Sequence, residues 1–284
     1  MSRLRTSRLS RIDLDSTTGS NYDETWNVKL RSGLTYHRVA LRTNLKNVKT
    51  IRKITVDVNG VDYWSITNKR LDLLKKLFQV EQKDGLFVLD FSDFKYRTAT
   101  GIYQTQLVTL PGDDVTVKIE FGERTAGPNV VDDPVTPTLK ATAYVTNMDK
   151  FGRLFKPTSY ELTQTVSAAG EHTWKFPNDG VNKFIQRLVF DENEVKIKKI
   201  KVMRDEKTIE TFTRDDLDFD LEDFAKVEHQ SGHCLLDFTM MGFGSNMALP
   251  SAELKFVFDI EGTGAIQTYV QGFDQVAALP MREG

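Results

Sequence analysis

Four histidines, one cysteine and three Asp-Asp doublets are the residues of this 284-residue chain best suited to chemistry. His229 and His233 stand four apart beside Cys234, a spacing that would put two zinc ligands on one face of a helix. Ser231-Gly232 lies between them and reads as a turn leading into a strand, so that geometry is not expected. His37 and His172 have no ligand-like neighbours in sequence. The doublets Asp113-Asp114, Asp132-Asp133 and Asp215-Asp216 could offer carboxylates to calcium, but none has the alternating oxygen spacing of an EF-hand loop. Asp215-Asp216 is explained by a helix N-terminus, where negative charge is favoured. Nucleophile-elbow, Walker, HExxH and dinucleotide patterns are missing. Gly242-Phe243-Gly244 and Gly262-Thr263-Gly264 lack the strand, helix and lysine context of a phosphate cradle, and read as loops. Paired carboxylates for glycoside hydrolysis need only converge in space, so 40 acids make their presence uninformative. Tyr63 and Trp64 could stack on sugars, although an alternating strand more often buries such residues in a core.

Charge is uneven in one place. Residues 1–12 hold Arg3, Arg5, Arg8 and Arg11 without an acid, whereas the whole chain has 38 bases against 40 acids. Such an arm is either a solvated tail or a phosphate-seeking one, drawn to lipid headgroups or nucleic acid. The longest uncharged stretches are about 15 residues, short of the roughly 18 to 20 that cross a bilayer as a helix. The N-terminus lacks the apolar core of a secretory signal, and no Asn-x-Ser/Thr acceptor occurs. With one cysteine, an intrachain disulfide is excluded, and folding in a reducing cytoplasm is expected.

The elements that must position these residues are mostly strands. Short alternating or β-branched runs at 26–30, 51–58, 86–91, 115–121, 140–145, 197–203, 234–238 and 254–260 are closed by turn residues. Asn59-Gly60 between two such runs predicts a type I′ hairpin. Two segments predict helices: Thr67 ahead of Leu71, Leu74, Leu77 and Phe78, and Thr213 with Asp216 ahead of Leu217, Leu221 and Phe224.

Each helix follows a strand pair, and sliding the chain by 146 residues shows why. Ile51, Lys53, Ile54, Val56, Thr67, Leu71, Asp72 and Phe78 fall on identical residues from Ile197 to Phe224, eight identities in 28 ungapped positions. Chance would give roughly two. Gly85, Leu89, Asp90 and Phe91 match Gly232, Leu236, Asp237 and Phe238 at an offset of 147. Leu110-Pro111 with Leu249-Pro250, Tyr144-Val145 with Tyr269-Val270, and Trp26 with Trp174 suggest that the repeat extends further. The first copy carries an extra loop at 124–138 with Pro128, Pro134 and Pro137, expected to protrude. The expected organisation is a basic arm over 1–23, one β unit over 24–150 and another over 151–284, joined near 148–158. Seven or eight strands and one short helix per unit predict an all-β chain of two tandem jelly-roll sandwiches.

The run Trp26 to Tyr36, the hairpin strand Ile51 to Gly60, the helix from Leu71 to Phe78, and the same order repeated from Trp174 resemble the double jelly-roll major capsid proteins. These build tailless icosahedral viruses with an internal membrane; the corticovirus type is nearer and the tectivirus type more distant. The resemblance covers roughly residues 24–284. It implies a non-enzymatic virion protein, folded in a host cytoplasm, whose homotrimers form nearly hexagonal capsomers. Neighbouring capsomers, penton and minor capsid proteins would be its partners, without sequence-specific nucleic acid binding. It places the Arg3, Arg5, Arg8 and Arg11 arm near the internal lipid membrane or between capsomers. It also allows structural calcium, with no ligands assignable here. A glycan-acting hydrolase and a tandem carbohydrate-binding module on the same scaffold remain the alternatives.

Overall fold

A computed structural model describes residues 9–15, 17–80, 83, 85–93, 105–147, 153–240 and 248–278. Nine strands make the first half: β1 (Ser10–Asp13), β2 (Thr25–Leu30), β3 (Leu34–Thr43), β4 (Ile51–Val58), β5 (Val61–Thr67), β6 (Leu86–Asp90), β7 (Leu107–Val108), β8 (Val115–Phe121) and β9 (Leu139–Asn147). Nine more make the second: β10 (Arg153–Val166), β11 (Gly170–Lys175), β12 (Lys183–Asp191), β13 (Val195–Arg204), β14 (Lys207–Thr213), β15 (His233–Asp237), β16 (Leu249–Pro250), β17 (Leu254–Gly262) and β18 (Gly264–Ala278). Helix α1 (Asn68–Leu77) follows β5, and α2 (Arg214–Asp220), continued by a π turn over Leu221–Ala225, follows β14.

The first half stacks β1-β9-β3-β6 against β2-β8-β4-β5; the second repeats this as β10-β18-β12-β15 against β11-β17-β13-β14. That is the jelly-roll order, in which alternate strands cross between two sheets and bury their facing side chains. Each core is aromatic. Trp26 stacks on Phe121 at 4.6 Å in one, and Trp174 packs against Phe176, Phe256 and Phe258 in the other. Trp64 is buried, so the core reading of that residue holds and the sugar-stacking one does not.

The duplication is written into the irregularities. A bulge in β4 between Ile51 and Lys53 recurs in β13 between Ile197 and Lys199, and a shift at Val56/Asp57 recurs at Val202/Met203. A third, at Tyr36/Arg38 in β3, recurs at Ile185/Arg187 in β12. Bulges insert a residue and re-aim a strand, so their recurrence at one place in both halves fixes equivalence better than residue identity does. By that measure three of the short matches are out of register. Tyr36 opposite Val145 corresponds to Ile185 opposite Gly272, so Tyr144-Val145 aligns with Gln271-Gly272. Leu107 opposite Tyr36 corresponds to Leu249 opposite Ile185, which places Leu110-Pro111 past its supposed mate. Trp26 faces Ile119 whereas Trp174 faces Phe256, two residues off.

Two expectations at the ends also change. Residues 153–158, read as linker, open the long strand β10, and Ser10–Asp13, read as part of the arm, form β1 against β9. Extension of β1 is rewarded by ladder bonds to an already ordered strand, which outweighs its basic, tail-like composition.

The helix starts differ as well. Thr213 accepts the Asp216 N–H at 3.3 Å, the first bond of the predicted capping box, and its hydroxyl donates to the Asp216 carboxylate at 2.6 Å. Thr67 makes no such cap and donates instead to Glu161 of the second half at 3.2 Å.

The β4–β5 hairpin turns on Asn59 (φ 55°) and Gly60 (φ 81°), the predicted type I′ pair. Its counterpart turns on Asp205 (φ 48°) and Glu206 (φ 59°). A left-handed conformation costs a non-glycine residue on the order of 1 kcal/mol. Glu206→Gly is therefore expected to raise stability by about 0.5–1 kcal/mol in urea denaturation, despite loss of the exposed Lys255 pair. An unchanged or lowered midpoint would contradict the equivalence of the two turns.

Candidate functional site

The residues singled out for chemistry are mostly absorbed by structure. His37 is buried between Ser92 (2.7 Å) and Thr146 (2.9 Å), and burial depresses its pKa. His172 lies half-buried on β11. His229 stands 3.8 Å from Asp218, and His233 donates through Nδ1 to the Ser231 carbonyl at 3.2 Å. Cys234 is buried, which pushes its thiol up to about 12. Asp113 holds its own turn by accepting from Leu110 N and Asn59, and Asp114 pairs with Lys29. Asp133 is fully buried and accepts from Lys46 N at 2.8 Å, Asn47 N at 2.9 Å and Thr50 at 2.5 Å. It thereby pins the 124–138 loop to the first sandwich, leaving Val131 and Val135 exposed on it. No group of three or more His, Cys, Asp or Glu side chains converges on a metal position among the described residues. Arg3, Arg5 and Arg8 lie outside the described residues, as do Gly242 and Gly244; Arg11 is exposed on β1.

The notable constellation lies where the two halves meet. The sheet β2-β8-β4-β5 runs into the sheet β10-β18-β12-β15 through one parallel bridge, Trp64 opposite Ser159. The Ser159 hydroxyl donates to the Ser65 carbonyl at 2.6 Å and lies equally close to the Tyr269 hydroxyl. Helix α1 then leans on the second half. Its Arg70, 2% exposed, reaches Asp191 and Glu161 at 3.7 Å each and donates to Gln267 at 3.5 Å, while Lys69 pairs with Asp191 at 3.4 Å. The Leu77 carbonyl accepts from Glu228 N at 2.8 Å.

Beside α1 is a cavity of about 350 Å³ lined by Trp64, Leu74, Phe78 and Phe91, with Arg38 and Arg187 at its polar side. These arginines are equivalent across the repeat, and each pairs with an equivalent aspartate: Arg38 with Asp90, Arg187 with Asp237 at 2.9 Å. Arg187 goes further. It also pairs with Asp93 of the first half and lies 4.9 Å over the Phe78 ring, so it clamps the halves together. The repeated Arg-then-Asp pair was visible in sequence, but nothing there told which copy would be buried. The two arginines of the cavity are thus internally paired, and their arrangement serves cohesion.

Comparison with known proteins agrees with this. The model of the viral coat protein P2 N-terminal domain matches residues 11–146, and that of the P2 C-terminal domain matches residues 157–276. No curated protein sequence matches. Among solved structures, the major capsid protein P2 of bacteriophage PM2 is similar at 16% identity and a TM-score of 0.79, over 98% of this chain and 100% of that one. The PBCV-1 virus capsid protein is similar at 7% identity and 0.65, over 97% and 95% of the two chains. A Sulfolobus turreted icosahedral virus chain gives 9% and 0.62, over 97% and 92%.

The two Arg–Asp pairs give a direct contrast. Arg187→Ala deprives buried Asp237 of its guanidinium, leaving it the Thr239 N–H and hydroxyl, and removes the clamp, and is expected to cost about 3–5 kcal/mol in chemical denaturation. Arg38→Ala removes a half-exposed pair and should cost about 1 kcal/mol or less. Equal losses would refute the clamp.

Proposed function

Because the chain belongs to the viral coat protein P2 family, we propose that it is the major capsid protein of a tailless icosahedral virus and works as a homotrimer. The observation that carries this reading is the pair of P2 domain matches, each filled by a complete jelly roll in one continuous chain. Its place is the virion coat and its role is structural. Three chains around an axis would present six similar barrels, a nearly hexagonal tile with only three-fold true symmetry. Such tiles pave a shell when their edges differ. The 124–138 loop, present in one half only and held by Asp133, supplies a difference at which neighbouring capsomers, penton and minor proteins would be told apart.

Arg3, Arg5 and Arg8, ahead of β1, would carry the chain's contact with anionic lipid of an internal membrane or with an adjacent capsomer. Each basic residue near such a surface adds about 1 kcal/mol.

Light scattering on the purified protein is expected to give a single species near 97 kDa, three times 32.4 kDa. A 32.4 kDa monomer at high concentration would turn the reading toward a glycan-acting or sugar-binding protein. The triple variant Arg3→Gln, Arg5→Gln, Arg8→Gln should keep that mass but lose flotation with phosphatidylglycerol vesicles at physiological salt. Undiminished flotation would remove the arm's lipid role.

A further inference from the structure

The face that α1 buries against the second half has a counterpart on α2 that stands open among the described residues. Leu73 is 7% exposed, whereas its equivalent, Phe219, is 67% exposed; Phe78 lies beneath Arg187, whereas its equivalent, Phe224, is 43% exposed. The sheet edges tell the same story. β5 is covered by β10, but among the described residues its equivalent β14 pairs only with β13, and β1, the equivalent of β10, pairs only with β9. One junction is therefore made inside the chain, and the two surfaces of a second junction of the same kind are left open at opposite ends. They cannot meet within one chain because each half already uses its other face.

The charges on these two open surfaces are inverted relative to the closed junction. Within the chain, Lys69 and Arg70 of α1 meet Asp191 and Gln267. At the equivalent positions of α2 stand Asp215 and Asp216, an offset of 146. On the receiving side, the registers that equate Arg38 with Arg187 and Val145 with Gly272 place Arg42 at the position of Asp191 and Lys140 at that of Gln267. Similarly, β1 and β10 align through their partners, so Arg11 takes the place of Ser159 and Asp13 that of Glu161. The residue that Ser159 meets, Trp64, corresponds to Glu210. The bridge Trp64–Ser159 is thus mirrored by a potential pair Glu210–Arg11, and the base-to-acid contact of α1 by an acid-to-base contact of α2. Asp13, at the position where Glu161 accepts from Thr67, is the one receiving residue whose sign is kept. Arg11, Arg42, Lys140, Asp215 and Glu210 are exposed, and their side chains make no hydrogen bond or ion pair among the described residues.

We propose that the α2–β14 face, with Asp215, Asp216, Glu210 and Phe219, docks on the Arg11, Arg42 and Lys140 face of a second copy of this chain. The identity of the partner as a second copy rests on the homo-oligomeric reading above; the placement and sign of the contact come from the internal junction. The inversion also dictates order. An α2 face offered to another second half would set Asp215 and Asp216 against Asp191 and Glu161, and an α1 face offered to a first half would set Lys69 and Arg70 against Arg42 and Lys140. Like charges exclude both, so halves alternate around the assembly, a specificity achieved by repulsion as well as attraction. Arg11 accordingly belongs to this contact, and the arm proper consists of Arg3, Arg5 and Arg8.

Charge exchange tests this. A helix-side variant, Glu210→Lys with Asp215→Lys, and a receiving-side variant, Arg11→Glu with Arg42→Glu, each change only exposed residues. Both should keep the wild-type circular dichroism spectrum and a cooperative melting transition, shifted down by the lost association, yet scatter light as monomers. Combining all four substitutions in one chain restores opposite signs and should restore the wild-type mass. A wild-type protein that is itself monomeric would sink the homo-oligomeric reading. An oligomer that persists in both two-site variants, or a four-site variant that folds yet stays monomeric, would overturn the docking face while leaving that reading intact.

Discussion

One parallel bridge, Trp64 opposite Ser159, decides how the rest of this molecule is arranged. A sheet edge exposes unpaired N–H and C=O groups and must be covered, blunted or paired. Each jelly roll here has such an edge at β5 or β14 and another at β10 or β1. Joining β5 to β10 covers one of each, brings α1 onto the second half and puts Arg187 over Phe78. The buried arginines follow from that contact. Arg70 is tolerable at 2% exposure because Asp191, Glu161 and Gln267 approach it, and Arg187 because Asp237 and Asp93 do. A buried charge without partners is expensive, so these groups make the relative placement of the halves specific.

Duplication explains what was kept and what was free to change. Residues that hold a sandwich together recur with their bulges: Ile54 with Ile200, Val56 with Val202, Leu71 with Leu217. Residues that face outward diverged, and did so in a patterned way at the junction. Trp64 became or came from Glu210, Leu73 from Phe219, Arg70 from Asp216. The face covered inside the chain carries tryptophan where the open face carries Glu210, and acids keep such an open face soluble even with Phe219 exposed on it.

Much of the fold was legible in the sequence because both halves carry the same bulges across 51–78 and 197–224, so one ungapped offset works there. One strand pair and one predicted helix of each half lie in that window. Legibility failed where it depended on pairing instead of identity. The matches of Trp26 with Trp174 and of Tyr144-Val145 with Tyr269-Val270 are real identities in the wrong register, since loop lengths outside the window differ between copies. β1 was hidden because four residues ending a basic tail show no period of their own; they become a strand only when β9 is beside them. β14 was legible only as the second strand of the pair ahead of the second helix, because nearly all of it is exposed and the alternation that betrays a strand is missing. The junction residues Arg70, Arg187 and Ser159 could not be found at all from one offset. They come together through three different ones.

An assembly protein whose sites are its own edges leaves little that a search for catalytic chemistry can recognise. His37, Cys234 and Asp133 look promising by type, and each turns out to be enclosed by structure: two hydroxyls, an apolar core, a loop anchor. The informative residues are ordinary ones whose meaning is comparative. Phe219 is an exposed aromatic like many others until Leu73 is seen buried at the same position. Arg42 is a surface arginine until Asp191 is seen receiving Arg70 in its place. In a duplicated chain, the difference between equivalent positions separates what the molecule has satisfied within itself from what it leaves for a neighbour. In the docking proposed above, that difference marks the two surfaces by which identical subunits would join around a ring.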